Sequence, residues 1–178
     1  MPQLQLHHSV RACGRGFFAC SEYNSSVKHP YYIKMVYGRK RKDVADRGRD
    51  WREGGEHYLH FAEEQRTLGN RFADATGFLV YETGQEDGAR TIFGSGTILS
   101  LRCEDLHTDP ARDETGKIYP WGIKVSFDKL VPPKQGISLE EVYRLCPRLT
   151  NHFKQAMGGL IGITTEEFTA LSNVLDAR

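Results

Sequence analysis

Residues 77 to 101 limit what this chain can become more than any other stretch. Gly77-Phe78-Leu79-Val80-Tyr81-Glu82-Thr83-Gly84 is an apolar, aromatic and β-branched run. Gln85 to Ala89 is polar, and Arg90-Thr91-Ile92-Phe93-Gly94-Ser95-Gly96-Thr97-Ile98-Leu99-Ser100-Leu101 is a second run of the same kind. Two such runs joined by a short polar turn read as an antiparallel hairpin. Tyr31-Tyr32-Ile33-Lys34-Met35-Val36-Tyr37, closed by Gly38, and Tyr119 to Phe127 are further strands by the same criteria, and Gly16 to Cys20 is a short one.

Helical signals lie between and after them. Asp50-Trp51-Arg52-Glu53 has the spacing of a helix N-terminus, and Gly54-Gly55 moves the expected start to Glu56. That helix carries Tyr58, Leu59, Phe61 and Ala62 on one side and stops near Gly69. Ser138-Leu139-Glu140-Glu141 and Thr164-Thr165-Glu166-Glu167 are capping boxes. The first opens a helix through Leu145, stopped by Pro147; the second opens one with Phe168, Leu171 and Leu175 on one face. Leu149 to Met157 is another helical turn or two, ended by Gly158-Gly159. Five strand candidates with helices inserted and appended predict an α+β chain with a small twisted or closed sheet. Crossover helices are too few for a parallel one.

A length of 178 residues fits one domain, here 31–178 after an irregular extension over 1–30. An aromatic content of 11% is too high for a disordered chain. No apolar run approaches the ~18 residues of a membrane span. The opening residues lack the basic and apolar regions of a signal peptide, so a soluble protein of the cytoplasm is expected. Cys13, Cys20, Cys103 and Cys146 show neither a zinc spacing nor a disulfide framework, which fits a reducing compartment.

The net charge of +1 excludes a protein that coats nucleic acid over its whole surface. The charge is unevenly placed, however. Gly38 to Arg52 holds seven basic and three acidic residues, a stretch of +4 against a remainder of −3. Arg39, Lys40, Arg41, Lys42, Arg47 and Arg49 are suited to neutralising phosphates, and Tyr37 and Trp51 flank them as stacking surfaces. The same residues also fit a solvated loop with Trp51 plugging the core.

Catalytic patterns are weak. Gly94-Ser95-Gly96 lacks the remainder of a dinucleotide fingerprint and is read as a strand bulge or a close approach. His57, His60 and Glu64 share a face if helical, and His107, Asp109, Asp113 and Glu114 cluster in a polar loop where a divalent cation or hydrolytic chemistry is conceivable. Neither set is a complete site. There is no nucleophile elbow and no P-loop, so no cofactor, metal or catalytic residue is assigned.

Five segments in order resemble the EVE domain of the PUA-like superfamily, to which YTH readers also belong. They are the run 77–84, the returning run Ile92 to Ile98 with its paired glycines, and the Tyr-Pro-led strand Ile118 to Phe127. The proline-rich exit and short helix Pro132 to Val142, and the closing Gly159 to Phe168, complete them. The similarity spans about residues 30–175. The chain departs from the family in carrying Ala75-Thr76-Gly77 where members have Gly-Asp.

This resemblance implies a small, strongly bent β-barrel of about five to six strands surrounded by helices. It implies a module that binds nucleic acid, with DNA expected ahead of RNA as the partner, by flipping one modified base, a methylated one, into an aromatic pocket. Such modules serve as specificity domains of modification-dependent restriction systems, with a separate nuclease or motor partner. The pocket residues implied by position are Tyr37, Trp51, Asn70, Tyr81 and Trp121, and the six basic residues of 39–49 would hold the backbone. On that reading Trp51→Ala erases the preference for modification. The alternative is a metal-assisted nuclease or hydrolase on an ASCH-type scaffold, using His107, Asp109, Asp113 and Glu114. A third reading is a protein-binding appendage of a larger restriction or toxin system.

Overall fold

Aromatic and branched residues at 31–36 form the first strand, β1 (Tyr31–Val36). In the computed structural model the described residues are 29–36, 51–84, 88–112, 116–155 and 159–178. Tyr37, Arg39, Lys40, Arg41, Lys42, Arg47, Arg49, Asp113, Glu114 and the strand expected at 16–20 lie outside them.

After β1 come β2 (Glu56–Phe61), a 3-10 turn (Glu63–Gln65) and α1 (Arg66–Ala73). The hairpin follows as β3 (Gly77–Glu82) and β4 (Thr91–Ile98), then the short β5 (Glu104–Asp105), β6 (Ala111–Arg112) and β7 (Ile118–Tyr119). The chain continues through β8 (Trp121–Leu130), β9 (Ile137–Ser138), α2 (Leu139–Leu145), α3 (Leu149–Gln155), β10 (Leu160–Ile163) and α4 (Thr165–Asp176).

The sheet runs β10-β1-β3-β4-β8-β2 and curls into a half-barrel, with β5 added beside β8 and β9 beside β4. The expected α+β architecture, a strongly bent sheet with helices around it, is therefore present. One pair in it is parallel, β1 with β3 (Ile33 opposite Leu79), and the other neighbours are antiparallel. Every residue of β3 is buried, because both its faces are covered. On one side α4 packs over the sheet, with the Phe168 ring stacked 4.0 Å from Tyr31.

On the other side lies a run of aromatic rings. Phe72 of α1 meets Phe61 at 5.9 Å and Phe78 at 5.7 Å, and Phe78 meets Phe127 at 5.4 Å. All four are fully buried. Truncating such a ring to Ala costs about 3–5 kcal/mol, so this row is a main source of stability. Both capping boxes form as read: Ser138 Oγ accepts from Glu141 N–H, and Thr164 Oγ1 accepts from Glu167 N–H, each at 3.3 Å.

The helix expected from Glu56 to Gly69 is corrected. Residues 56–61 are a strand, because Leu59 and Phe61 enter the core at a spacing of two while β8 supplies a complete antiparallel ladder, Glu56 opposite Ser126 through Phe61 opposite Trp121. The helix begins only at Arg66 and passes through Gly69 to Ala73. Glu53, expected in a capping box, instead accepts the Leu130 N–H at 2.8 Å and bridges β8 at Phe127. With 56–61 extended, His57 and His60 fall on opposite faces, which removes the shared helical face proposed for them and Glu64. Among the described residues no helix is long and apolar enough to cross a membrane.

Candidate functional site

The helical period of α1 separates its residues into two sets. Gly69, Phe72 and Ala73 are buried, while Arg66, Thr67, Asn70, Arg71 and the C-capping Asp74 form a polar stripe on the other side. That stripe is one wall of a half-open cleft of about 770 Å³. The loop leading into β5 and β5 itself, Leu101 to Asp105, make the opposite wall, and Trp121 joins them at the start of β8. The volume falls within the range of about 300–1,000 Å³ common for small-molecule sites.

The two walls are tied together. Asn70 Oδ1 accepts the Cys103 N–H at 2.9 Å, and the Cys103 thiol donates to the Arg66 carbonyl at 3.6 Å. Burial pushes that thiol up to about 11, against the opposing pull of Arg66, so it stays protonated at neutral pH. Gly69 makes the close approach possible, since a Cβ there would overlap the Cys103 sulfur. With Oδ1 committed to the loop, Asn70 offers the cleft its amide N–H donors.

Trp121 is held on three sides. The Arg66 guanidinium lies 4.2 Å over its ring, the His107 imidazole meets it edge-on at 5.2 Å, and its Nε1–H donates to Glu63 Oε2 at 3.1 Å. Glu63 Oε2 also lies 3.2 Å from His107 Nε2, and His107 Nδ1 lies 2.6 Å from Asp105 Oδ1. The hydrogen bond to Asp105, with the nearby charges of Asp105 and Glu63, raises His107 above its ordinary value. Asp105 in turn is lowered, chiefly by the backbone and side-chain hydrogen bonds from His107.

Three arginines (66, 71 and 102) and three acids (Asp74, Glu104 and Asp105) line the cleft. Two of the acids have internal partners beside it. Glu104 accepts the Tyr58 hydroxyl and the Ser100 hydroxyl at 2.6 Å each, which lowers Glu104 and pushes Tyr58 up to about 12. Asp105 is engaged by His107. Arg71 and Arg102 remain exposed at the walls. Trp121 itself is 6% exposed beneath Arg66, so the cleft presents amide donors and cations toward solvent, and the tryptophan face only when Arg66 is displaced.

Of the residues expected in a base pocket, Asn70 and Trp121 line this cleft. Trp51 is elsewhere, half-buried on the core with its ring 4.7 Å from Phe127 and 6.3 Å from Phe93. Phe127 lies six positions along β8 from Trp121, roughly 20 Å along an extended strand. Tyr81 is buried against Phe153 of α3, with ring centroids 4.9 Å apart.

Reading the sequence as a helix over 56–69 hid Arg66 and Arg71. The signal was present in Arg66-Thr67-Leu68-Gly69-Asn70-Arg71, whose polar residues recur at helical spacing once the helix is started ten residues later. Of the loop set named for hydrolysis, His107 is engaged as above, and the Asp109 N–H donates to the Leu106 carbonyl at 3.0 Å. Among the described residues, no group of three or more His, Cys, Asp or Glu side chains is placed to hold a metal ion.

No family model matches this sequence, and no curated protein matches it. Among solved structures, the NMR structure of Rpa0253 from Rhodopseudomonas palustris is similar at a TM-score of 0.51, with 13% identity, covering 83% of this chain and 94% of that one. The Mmi1 YTH domain gives a TM-score of 0.49 at 11% identity, covering 84% of this chain and 77% of its own. The likeness to Rpa0253 is one of fold.

Proposed function

We propose that this chain is a nucleic-acid-binding module that reads a modified base in the cleft between α1 and the β5 loop. The observation that carries the reading is Trp121, with Arg66 lying 4.2 Å over its ring and Asn70 on the adjoining wall. An exposed arginine resting on a tryptophan face occupies the place a base would take. A base entering the cleft lifts Arg66 and lies between ring and guanidinium, since both are planar surfaces on which bases stack. The amide of Asn70 then donates to an acceptor on the base edge, and a methyl group on the base gains apolar contact, at ~0.8 kcal/mol per buried methylene-sized group. That gain is a preference, not absolute selection.

Arg71 and Arg102, exposed on the two walls, would meet phosphates on either side of the base, and the basic residues of 39–49 would extend that grip. The resemblance of the five segments to the EVE domain supports this reading, with DNA as the preferred nucleic acid. It also supports a place as the specificity component of a modification-dependent restriction system, where a separate nuclease or motor subunit does the cutting.

The test is a titration of labelled oligonucleotides with and without a methylated adenine or cytosine, at several salt concentrations. Salt-sensitive binding that tightens on methylation is the expected result. Equal and negligible binding to every probe would overturn the proposal.

A further inference from the structure

Leu101 is 94% exposed, on the wall of the cleft facing α1. Single exposed leucines are ordinary on protein surfaces, and exposure alone assigns this one no role. This one is held out by a fixed frame. The N–H groups of Leu99 and Ser100 donate to the Lys124 carbonyl at 2.9 and 3.2 Å, and Ser100 Oγ accepts from the Lys124 N–H at 2.8 Å. The same hydroxyl donates to Glu104 Oε1 at 2.6 Å, and on the far side Cys103 is bonded to Asn70. The backbone is thus anchored immediately before and after a side chain that makes no use of the core. Arg102, also exposed, follows it directly.

A base drawn out of a duplex leaves a gap, and the stacking lost on both sides of that gap opposes extrusion. Apolar side chains that enter such gaps restore contact with the flanking bases. We propose that Leu101 is such a wedge, and that the ligand of this cleft is therefore double-stranded: Leu101 fills the space the base has left while Arg102 meets the adjoining phosphate. This inference rests on the base-reading proposal above. It adds to it the class of nucleic acid and a role for Leu101, at the cleft wall, toward the duplex rather than toward the base.

Leu101→Ala leaves the fold intact, because the side chain is in solvent. Its affinity is compared with that of the unaltered protein for two probes, a duplex with one methylated base and the methylated strand alone. The expected result is a loss of about tenfold or more on the duplex, the order of burying one leucine side chain, and a several-fold smaller loss on the single strand, where only the cleft-wall contact of Leu101 is removed. Arg102→Ala should weaken both probes alike. Equal loss on both probes for Leu101→Ala, or no loss on the duplex, overturns the wedge. Binding of the unaltered protein to the single strand alone overturns it too while leaving base reading in place, and binding to neither probe removes both.

Discussion

The guanidinium of Arg66 covers the ring of Trp121 at 4.2 Å, across a cleft whose walls come from a helix and a loop about 35 residues further along the chain. Replacing Arg66 by Met keeps an unbranched stem over the ring and removes the charge. Affinity for oligonucleotides should then fall, while the slope of log affinity against log salt should change little, because the phosphates are assigned to Arg71 and Arg102. Fluorescence anisotropy across a salt series measures both. A slope shallower by about one would show that Arg66 meets a phosphate instead of the base.

Only two tryptophans are present, Trp51 and Trp121. Since Trp51 lies on Phe127 and Trp121 in the cleft, a base bound in the cleft should quench the emission of Trp121 alone. The Trp51→Phe variant should keep the quenching and the preference for methylation. The Trp121→Phe variant should lose most of the quenching, and should cost about 1 kcal/mol through the hydrogen bond to Glu63. Retention of both signals in Trp121→Phe would place the base elsewhere.

His107 should titrate above the ordinary imidazole value of about 6.5, because Asp105 and Glu63 favour its protonated form. A raised value in the folded state means the stabilisation is complete below 6.5 and disappears as pH rises through the folded value. Asp105, lowered from its ordinary value, contributes above that value and ceases to contribute as acid protonates it. NMR titration of the imidazole protons checks this directly. Asp105→Asn should return His107 toward its ordinary value.

Gly69→Ala pits two effects against each other. Ala is favoured over Gly within a helix by about 1 kcal/mol, yet a Cβ at position 69 would overlap the Cys103 sulfur. Overpacking of that kind costs about 1–3 kcal/mol, so the single variant should be destabilised or at best neutral. In the Cys103→Ala background the obstruction is gone, and the same change should become neutral or stabilising. Urea denaturation of the four proteins of this cycle provides the measurement.

Much of the fold could be read because its signals are local. The capping boxes at Ser138 and Thr164 are settled by residues three apart, and the β3–β4 hairpin by two apolar runs and the turn between them. The paired glycines of β4 also behaved as a strand bulge: the register against β8 shifts at Ser95/Gly96, where a Cβ on Gly96 would overlap the Ser126 carbonyl. Residues 56–61 depart from the expected helix because His57-Tyr58-Leu59-His60-Phe61 fits a short helix or a short strand, and the choice lies with a partner strand sixty or more residues away.

From local pattern alone, then, the sequence determined the α+β class, the hairpin, the starts of the two capped helices and the presence of aromatic and basic residues. It did not determine which aromatic side chain meets which polar one. The sheet's curl and the ladder between β2 and β8 bury Trp121 beside α1 and leave Trp51 half-buried against Phe127 toward the other end of β8. Side-chain neighbours across a sheet are fixed by register and twist, which depend on pairings distant in sequence. The chemistry of the residues was written in the chain, and their meeting in one cleft was decided by the fold.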